Sequence, residues 1–374
     1  MSKILINAIT IEEANLTPLL LRIQFWYSQR HHITILGNDL LKKRIPQSTL
    51  KQIDTFLSLS HASPTTGKMH FAVESLRRNI VALVNHHGLG NSHDVIYTVS
   101  SVADLVLYPA ILKVFYPKTR WLTVFDNTVS FNGPGNKIVR YLAYAFYRIS
   151  LVLLRKADVI FVITKELKRE LTRIGFNDEK LVITGNAVED DLIRNIKRPS
   201  NPQIDCLFIG RINETKGIYD LLEVAKIITK HKPDFSLHMM GRGDRSSETR
   251  FKNMLKKTSL DKNINLIGFK SGIEKFKIIK SSKCFLFLSP SESFGVAVLE
   301  AVCCGLPTLV YELDVYKKLY KNREVMMFKP GEYQQIAKKI LDIMADKKYT
   351  NPAGEKLLPK YSWNRIAQIE LNKF

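Results

Sequence analysis

Ser289-Pro-Ser-Glu292-Ser-Phe294-Gly295-Val-Ala-Val-Leu-Glu300-Ala-Val-Cys-Cys-Gly305-Leu-Pro307-Thr-Leu-Val-Tyr311 is the stretch on which the reading turns. An apolar run, Cys284 to Leu288, leads into a polar turn carrying Glu292. A short helix with Glu300 on it is expected next. Gly305 suits the left-handed position just past a helix, and Pro307 blocks continuation before a strand resumes at Thr308-Leu309-Val310. A turn that runs into a helix offers backbone N–H groups and a positive helix end to a phosphate. Three turn residues plus about one and a half helical turns separate the two carboxylates by on the order of 10 Å. That is too far for a shared proton and suits gripping two ends of one extended ligand. A sugar joined through a diphosphate to a nucleoside has that layout of charge and hydroxyls. The alternative is a solvated helix with two ordinary glutamates; the flanking Ser-Glu-Ser-Phe-Gly and Gly-Leu-Pro weigh against it.

Further motifs stand upstream in register. Gly210-Arg211 follows the strand-like Cys206 to Ile209, and Lys216-Gly217 opens a helical pattern through Ile218, Leu221, Leu222 and Ala225. Gly241-Arg242-Gly243 follows Leu237 to Met240, and Asn265 to Phe269 precedes another helix. With these four in order, residues 204 to 311 resemble retaining glycosyltransferases of the GT-B fold, family 4, with their Glu-seven residues-Glu signature.

The resemblance implies two Rossmann-like α/β domains facing across a cleft, with a nucleotide-sugar as co-substrate. Glu292 would then accept hydrogen bonds from sugar hydroxyls, with Ser293 beside it. The amides of Phe294, Gly295 and Val296 would meet sugar or phosphate oxygens, and Glu300 would hold the ribose. Arg211 and Lys216, just past a strand's carboxyl end, would stabilise charge on the departing nucleotide diphosphate; otherwise they are surface residues at a helix start. Phe269 is a candidate for base contact. Gly210 and Gly241 would line the nucleotide, although turn-making alone accounts equally for Gly241. No Asp-any-Asp pair occurs, so no metal or other cofactor is expected. Retention is expected through same-face attack assisted by the leaving diphosphate.

The resemblance weakens toward the N-terminus. Relatives often carry a glycine-rich loop after the first strand, but residues 7–15 contain no glycine. Where relatives often have a histidine, this chain reads Thr123-Val124-Phe125-Asp126. Asp126 is a candidate replacement near the reacting centre, or only a turn cap. His86, His87 and His93 are read as loop residues.

A length of 374 residues suits two domains, and 45% hydrophobic content supports real cores. Apolar segments at Lys3–Ile9, Ile33–Leu36, Thr55–Leu59, Val95–Tyr97, Trp121–Phe125, Val159–Thr164 and Leu181–Thr184 alternate with helix-length ones such as Met69–Val84 and Lys137–Arg155. The second half repeats the pattern from Cys206, Leu237, Asn265, Cys284, Thr308 and Val325. Such alternation predicts parallel sheets covered on both faces. Arg198-Pro-Ser-Asn-Pro202 reads as the linker, giving domains at 1–198 and 199–359. By resemblance, a last helix within 360–374 returns to the first domain.

Four cysteines without metal or redox spacing, and no evident leader or 18-residue apolar span, suggest a reduced, cytoplasmic setting. The net charge of +21 gathers in clusters such as Lys42-Lys43-Arg44, Lys165 to Arg173 and Lys252 to Lys262. That excess favours an anionic surface, or is only a lysine-rich exterior. No nucleic-acid motif is present, and the resemblance implies an anionic membrane on the inner face of the cell as partner, because transferases of this kind often act on lipid-linked acceptors. The donor is expected to be a UDP-, GDP- or ADP-sugar and the acceptor a glycan or lipid-linked molecule, in surface polysaccharide assembly. A nucleotide-sugar epimerase of the same fold, or a non-catalytic binding relative, remain as alternatives. Tyr141 to Arg148 mixes rings with arginines and fits either a membrane interface or packing on a sheet.

Overall fold

The computed structural model describes residues 1–11, 16–59, 68–129, 137–321, 323–346 and 350–374. The chain divides into two compact units, one of Met1–Gly185 with Trp363–Phe374, the other of Asn186–Ser362.

Among the described residues of the first unit seven strands form one wholly parallel sheet: β1 (Lys3–Asn7), β2 (His32–Gly37), β3 (Thr55–Ser58), β4 (Val95–Thr98), β5 (Arg120–Phe125), β6 (Val159–Val162) and β7 (Leu181–Ile183). Their spatial order is β3-β2-β1-β4-β5-β6-β7. Central strands are buried on both faces, so β4 and β6 read as unbroken apolar or neutral runs rather than alternating ones. Ile4, Ile6, Ile33, Ile35, Tyr97 and Phe161 pack with Leu19, Ile23 and Trp26 of the helix Leu16–Ser28. The C-terminal helix Trp363–Leu371 packs on that same helix. Arg22 donates to both oxygens of Glu370 at 2.7 Å, and Trp26 Nε1 donates to the Ala367 carbonyl.

The second unit holds β8 (Ile204–Ile209), β9 (Leu237–Met240), β10 (Ile264–Gly268), β11 (Ser282–Phe287), β12 (Thr308–Tyr311) and β13 (Met326–Phe328), also all parallel. The order is β10-β9-β8-β11-β12-β13. The chain winds outward from β8 in one direction and then from β11 in the other. The carboxyl ends of β8 and β11 therefore flank the point where winding reverses, the usual ligand position in open α/β sheets.

The division falls before the proline-bearing stretch and not at it. Residues 186–198 belong to the second unit because their backbone and side chains are tied there. Lys280 donates to the carbonyls of Ile193 and Ile196, and Arg198 to those of Gly305 and Ser282. Arg198–Pro202 is thus a turn feeding β8 rather than a linker. At the other passage the first unit resumes at Trp363, and residues 360–362 stay with the second. His86 ends the helix Lys68–His86 instead of lying in a loop. Residues 12–15, part of the glycine-free stretch after β1, lie outside the described residues. All four cysteines are buried free thiols. Among the described residues no helix is long and apolar enough to cross a membrane.

Candidate active site

The site is built from the loops that leave β8 and β11. After β8 the chain passes Gly210 and Arg211 into a tight turn at Glu214–Lys216, then Gly217 opens the helix Ile218–His231. Gly217 has φ +69°, and a Cβ there would lie 1.9 Å from the Leu288 carbonyl oxygen. Only glycine lets this turn rest on the end of β11. Ser289, fully buried, fastens the two loops through its one hydroxyl proton, with the Thr215 carbonyl at 3.3 Å and the Ser291 carbonyl at 3.0 Å as acceptors in reach.

Lys216 is carried by this arrangement onto Glu292, its Nζ 2.5 Å from Oε1. The ammonium also lies 5.9 Å from the centre of the Phe287 ring. Both side chains are mostly buried, and one carboxylate oxygen of Glu292 takes this hydrogen bond. Three residues on, Gly295 (φ +79°) starts the helix Val296–Cys303. Beneath it lies Tyr316, whose hydroxyl would be 2.6 Å from a Cβ at position 295. Glycine is therefore required here by the phenol below as well as by the backbone angle. The Tyr316 hydroxyl is buried and, among the described residues, has no hydrogen-bond partner. Burial pushes its pKa well up, and the charge of Glu292 adds to this.

Glu300 lies on the buried face of the same helix and accepts from Lys275 Nζ at 2.6 Å. Lys275 also reaches Glu189 at 3.3 Å. Burial raises the carboxyl pKa of Glu300 despite the opposing pull of Lys275. Burial also opposes the Lys275 ammonium, but Glu300 and Glu189 together outweigh it and its pKa rises. The helix ends as expected: Gly305 has φ +72°, and the amides of Gly305 and Leu306 bond back to Val302 and Ala301.

The other expected residues line the carboxyl edge of the sheet in strand order. Arg211 is exposed after β8, and among the described residues its side chain meets no carboxylate. Gly241 ends β9 with φ +147°, and a Cβ there would strike the Gly210 carbonyl at 1.8 Å, so close approach of two strand ends explains it. Phe269, 54% exposed, follows β10. Ser293 is exposed, and the Phe294 ring is buried against Tyr361, which leaves its amide as the group able to meet a ligand. Asp126 sits on the first unit at the end of β5, where burial raises its pKa.

Tyr316, Lys275, Glu189 and Ser289 were not singled out from sequence. Tyr316, Lys275 and Glu189 each reach the site from a separate element, which no local spacing announces, whereas Ser289 lies three residues before Glu292 and its role shows only in its hydrogen bonds.

Two parallel, doubly wound α/β units with this topology constitute the GT-B fold of glycosyltransferases. Residues 189–356 match the family model described as Glycosyl transferases group 1. An uncharacterized glycosyltransferase of Methanocaldococcus jannaschii is 28% identical over 221 residues, covering 56% of this chain and 52% of that protein. A poly(ribitol-phosphate) alpha-N-acetylglucosaminyltransferase of Staphylococcus aureus is 24% identical over 230 residues, covering 59% of this chain and 44% of that one. The chain thus spans about half the length of these curated relatives. Among solved structures, Anabaena HepE in complex with UDP-glucose superimposes with a TM-score of 0.74 at 14% identity, covering 100% of this chain and 99% of that one. That likeness speaks for the fold.

Proposed function

We propose that this chain is a glycosyltransferase that moves a sugar from a nucleotide diphosphate to a glycan or lipid-linked acceptor, with retention at the anomeric carbon as in family 4. The observation that carries the reading is the Lys216–Glu292 contact at the winding reversal, next to a helix that begins at a left-handed glycine.

A diphosphate at the amino end of Val296–Cys303 meets the amides of Phe294, Gly295 and Val296 and the positive helix end. Lys216 then has two anions to serve. As it turns to phosphate, Glu292 is released to accept hydrogen bonds from sugar hydroxyls, with Ser293 beside it. Arg211 adds a second cation where negative charge grows on the leaving group. Together the two cations and the helix end do the charge work of a divalent metal, and none is required. Glu300, hydrogen-bonded through one oxygen by Lys275, takes the ribose hydroxyls. Gly210 and Gly241 leave the backbone open beside the nucleotide, and Phe269 meets the base. In same-face attack the acceptor oxygen bonds to the anomeric carbon as the sugar–phosphate bond breaks, and its proton passes to the departing diphosphate. Asp126 is assigned to the acceptor side. The staphylococcal relative's name, with poly(ribitol-phosphate) in it, supports a polymeric acceptor.

The test is a panel of UDP-, GDP- and ADP-sugars scored by thermal shift and then by transfer, with and without chelator. A matching donor at a hundred times its dissociation constant adds ~2.7 kcal/mol to stability. Transfer that persists in chelator supports the charge assignment. If no nucleotide-sugar stabilises the protein, or Glu292→Gln transfers as well as the parent, the reading is wrong.

A further inference from the structure

The first unit carries an exposed apolar face on which none of the residues assigned above lies. Helix Lys68–His86 buries Ser75, Arg78, Asn79 and Ala82 and turns Val73, Leu76, Ile80 and Val84 outward at spacings of three and four residues. Helix Lys137–Leu154 buries Ser150, Leu151 and Leu154 and turns Tyr141, Leu142, Phe146, Ile149 and Val152 outward. Every one of these outward side chains is at least half exposed, up to 67% at Val84. Both helices pack on the helix Ala103–Phe115 and so belong to one layer, and Phe115 at its end is 70% exposed. A surface helix ordinarily turns its large apolar residues inward. Helix Lys68–His86 turns Ser75, Arg78 and Asn79 inward and aliphatic side chains outward, and helix Lys137–Leu154 has apolar side chains on its outer side as well as its inner one. An exposed apolar patch spread over two helices marks an interaction surface.

Charge identifies the occupant. Helix Lys137–Leu154 has no acidic residue, carries Lys137, Arg140 and Arg148, and is followed by Arg155 and Lys156. Its C-terminal end meets Ile174 and Phe176, just beyond the basic helix Lys165–Arg173. There Lys165, Lys168, Arg169 and Arg173 line a groove of about 510 Å³. A second copy of a chain with net charge +21 would set cation against cation. A bilayer containing anionic lipid answers both features at once, with side chains entering the acyl boundary and cations staying among headgroups.

We propose that this face of the first unit, Lys68–His86 and Lys137–Leu154 with Lys165–Arg173 alongside, docks in the plane of an anionic membrane. The proposal stands apart from the catalytic reading, because lipid binding is read without any transfer.

The experiment is co-sedimentation of the full chain with vesicles of phosphatidylcholine alone and of phosphatidylcholine mixed with phosphatidylglycerol. The protein is expected to partition onto the mixed vesicles and to be released by salt. Phe146→Ser with Ile149→Ser should lower partitioning at least about tenfold, since each removes a side chain from the apolar phase. Arg148→Glu with Lys156→Glu should lower it by a similar factor. Met254→Ser in the second unit should change nothing. All substituted positions are at the surface, and unchanged melting curves establish that the variants are folded. The proposal is overturned if the parent ignores anionic vesicles, binds phosphatidylcholine equally, or loses nothing in either double variant. It is overturned as well if light scattering finds a dimer that Phe146→Ser with Ile149→Ser dissolves.

Discussion

Each unit holds a close pair of opposite charges, and the two pairs are built differently. In the first unit Arg22 grips both oxygens of Glu370, donates also to the Pro18 carbonyl, and lies 4.9 Å from the Trp363 ring. Glu370 is fully buried and Arg22 nearly so. Burial opposes the Arg22 charge, but the carboxylate beside it outweighs this and its pKa rises further above the ordinary value. In the second unit Lys216 makes one contact with one oxygen of Glu292, at the open end of the strands. The first pair is saturated and fastens the last helix to the helix Leu16–Ser28. The second keeps acceptor capacity in reserve, which a ligand can take up. Charge pairing alone says little about function; what matters is whether the partners have anything left to give.

Breaking the saturated pair should have the largest effect. Glu370→Ala leaves a guanidinium buried without its counter-ion, which should cost about 3–5 kcal/mol of stability. Denaturant unfolding checks this, and a loss below about 1 kcal/mol would mean that water reaches Arg22. Nucleotide-sugar binding to the remaining folded protein should be unchanged.

The unsaturated pair should respond the other way. Glu292→Gln keeps a hydrogen-bond acceptor for Lys216 and should change stability by about 1 kcal/mol or less. Transfer should fall by about 10²–10³-fold in kcat, the range for losing one electrostatic contact made in a transition state. Steady-state kinetics beside a melting curve separates the two effects. Equal losses in both would make Glu292 a structural residue like Glu370.

Gly217→Ala tests the loop that presents Lys216. The left-handed backbone alone should cost roughly 1–2 kcal/mol, and the new Cβ must also push the Leu288 carbonyl away. Stability should fall by more than the backbone angle alone costs, and donor binding should fall as well because the lysine is displaced. A variant with parental affinity would show that the loop has slack.

The contrast also marks how far the sequence could be read. Strands, sheet class and the Glu292–Gly305 segment were legible because their determinants are local: apolar runs, a turn, and glycine and proline at fixed offsets. The division between units was misplaced because a proline-rich turn and a true passage look alike in composition, and only the Lys280 and Arg198 contacts distinguish them. Arg22–Glu370 joins residues 348 apart, and Lys275 meets Glu300 across 25; no periodicity encodes such pairs. The period of Lys137–Leu154 was visible too. Period shows that a helix has an apolar side but not whether that side faces the sheet or the solvent, and the structure has one apolar group for each.

The smallest effect concerns Glu300, which falls between the two pairs: buried like Glu370, but held by a lysine shared with Glu189. Its pKa is raised in the folded protein, first because it is buried. The sign follows from proton counting. Between the ordinary glutamate value and the raised one, the folded state keeps a proton that the unfolded state has lost. Stability from this group is therefore fully present at acid pH and declines as pH rises through that interval. Glu300→Gln carries no titrating proton, so its stability should lack this decline. The difference between parent and variant unfolding free energies, followed upward from about pH 4, should grow in the variant's favour and then level off. A flat difference would mean that Lys275 offsets the cost of burying Glu300 fully, so that the carboxylate is held charged by its partner and its second oxygen, which Lys275 does not touch, stands as the acceptor for a ribose.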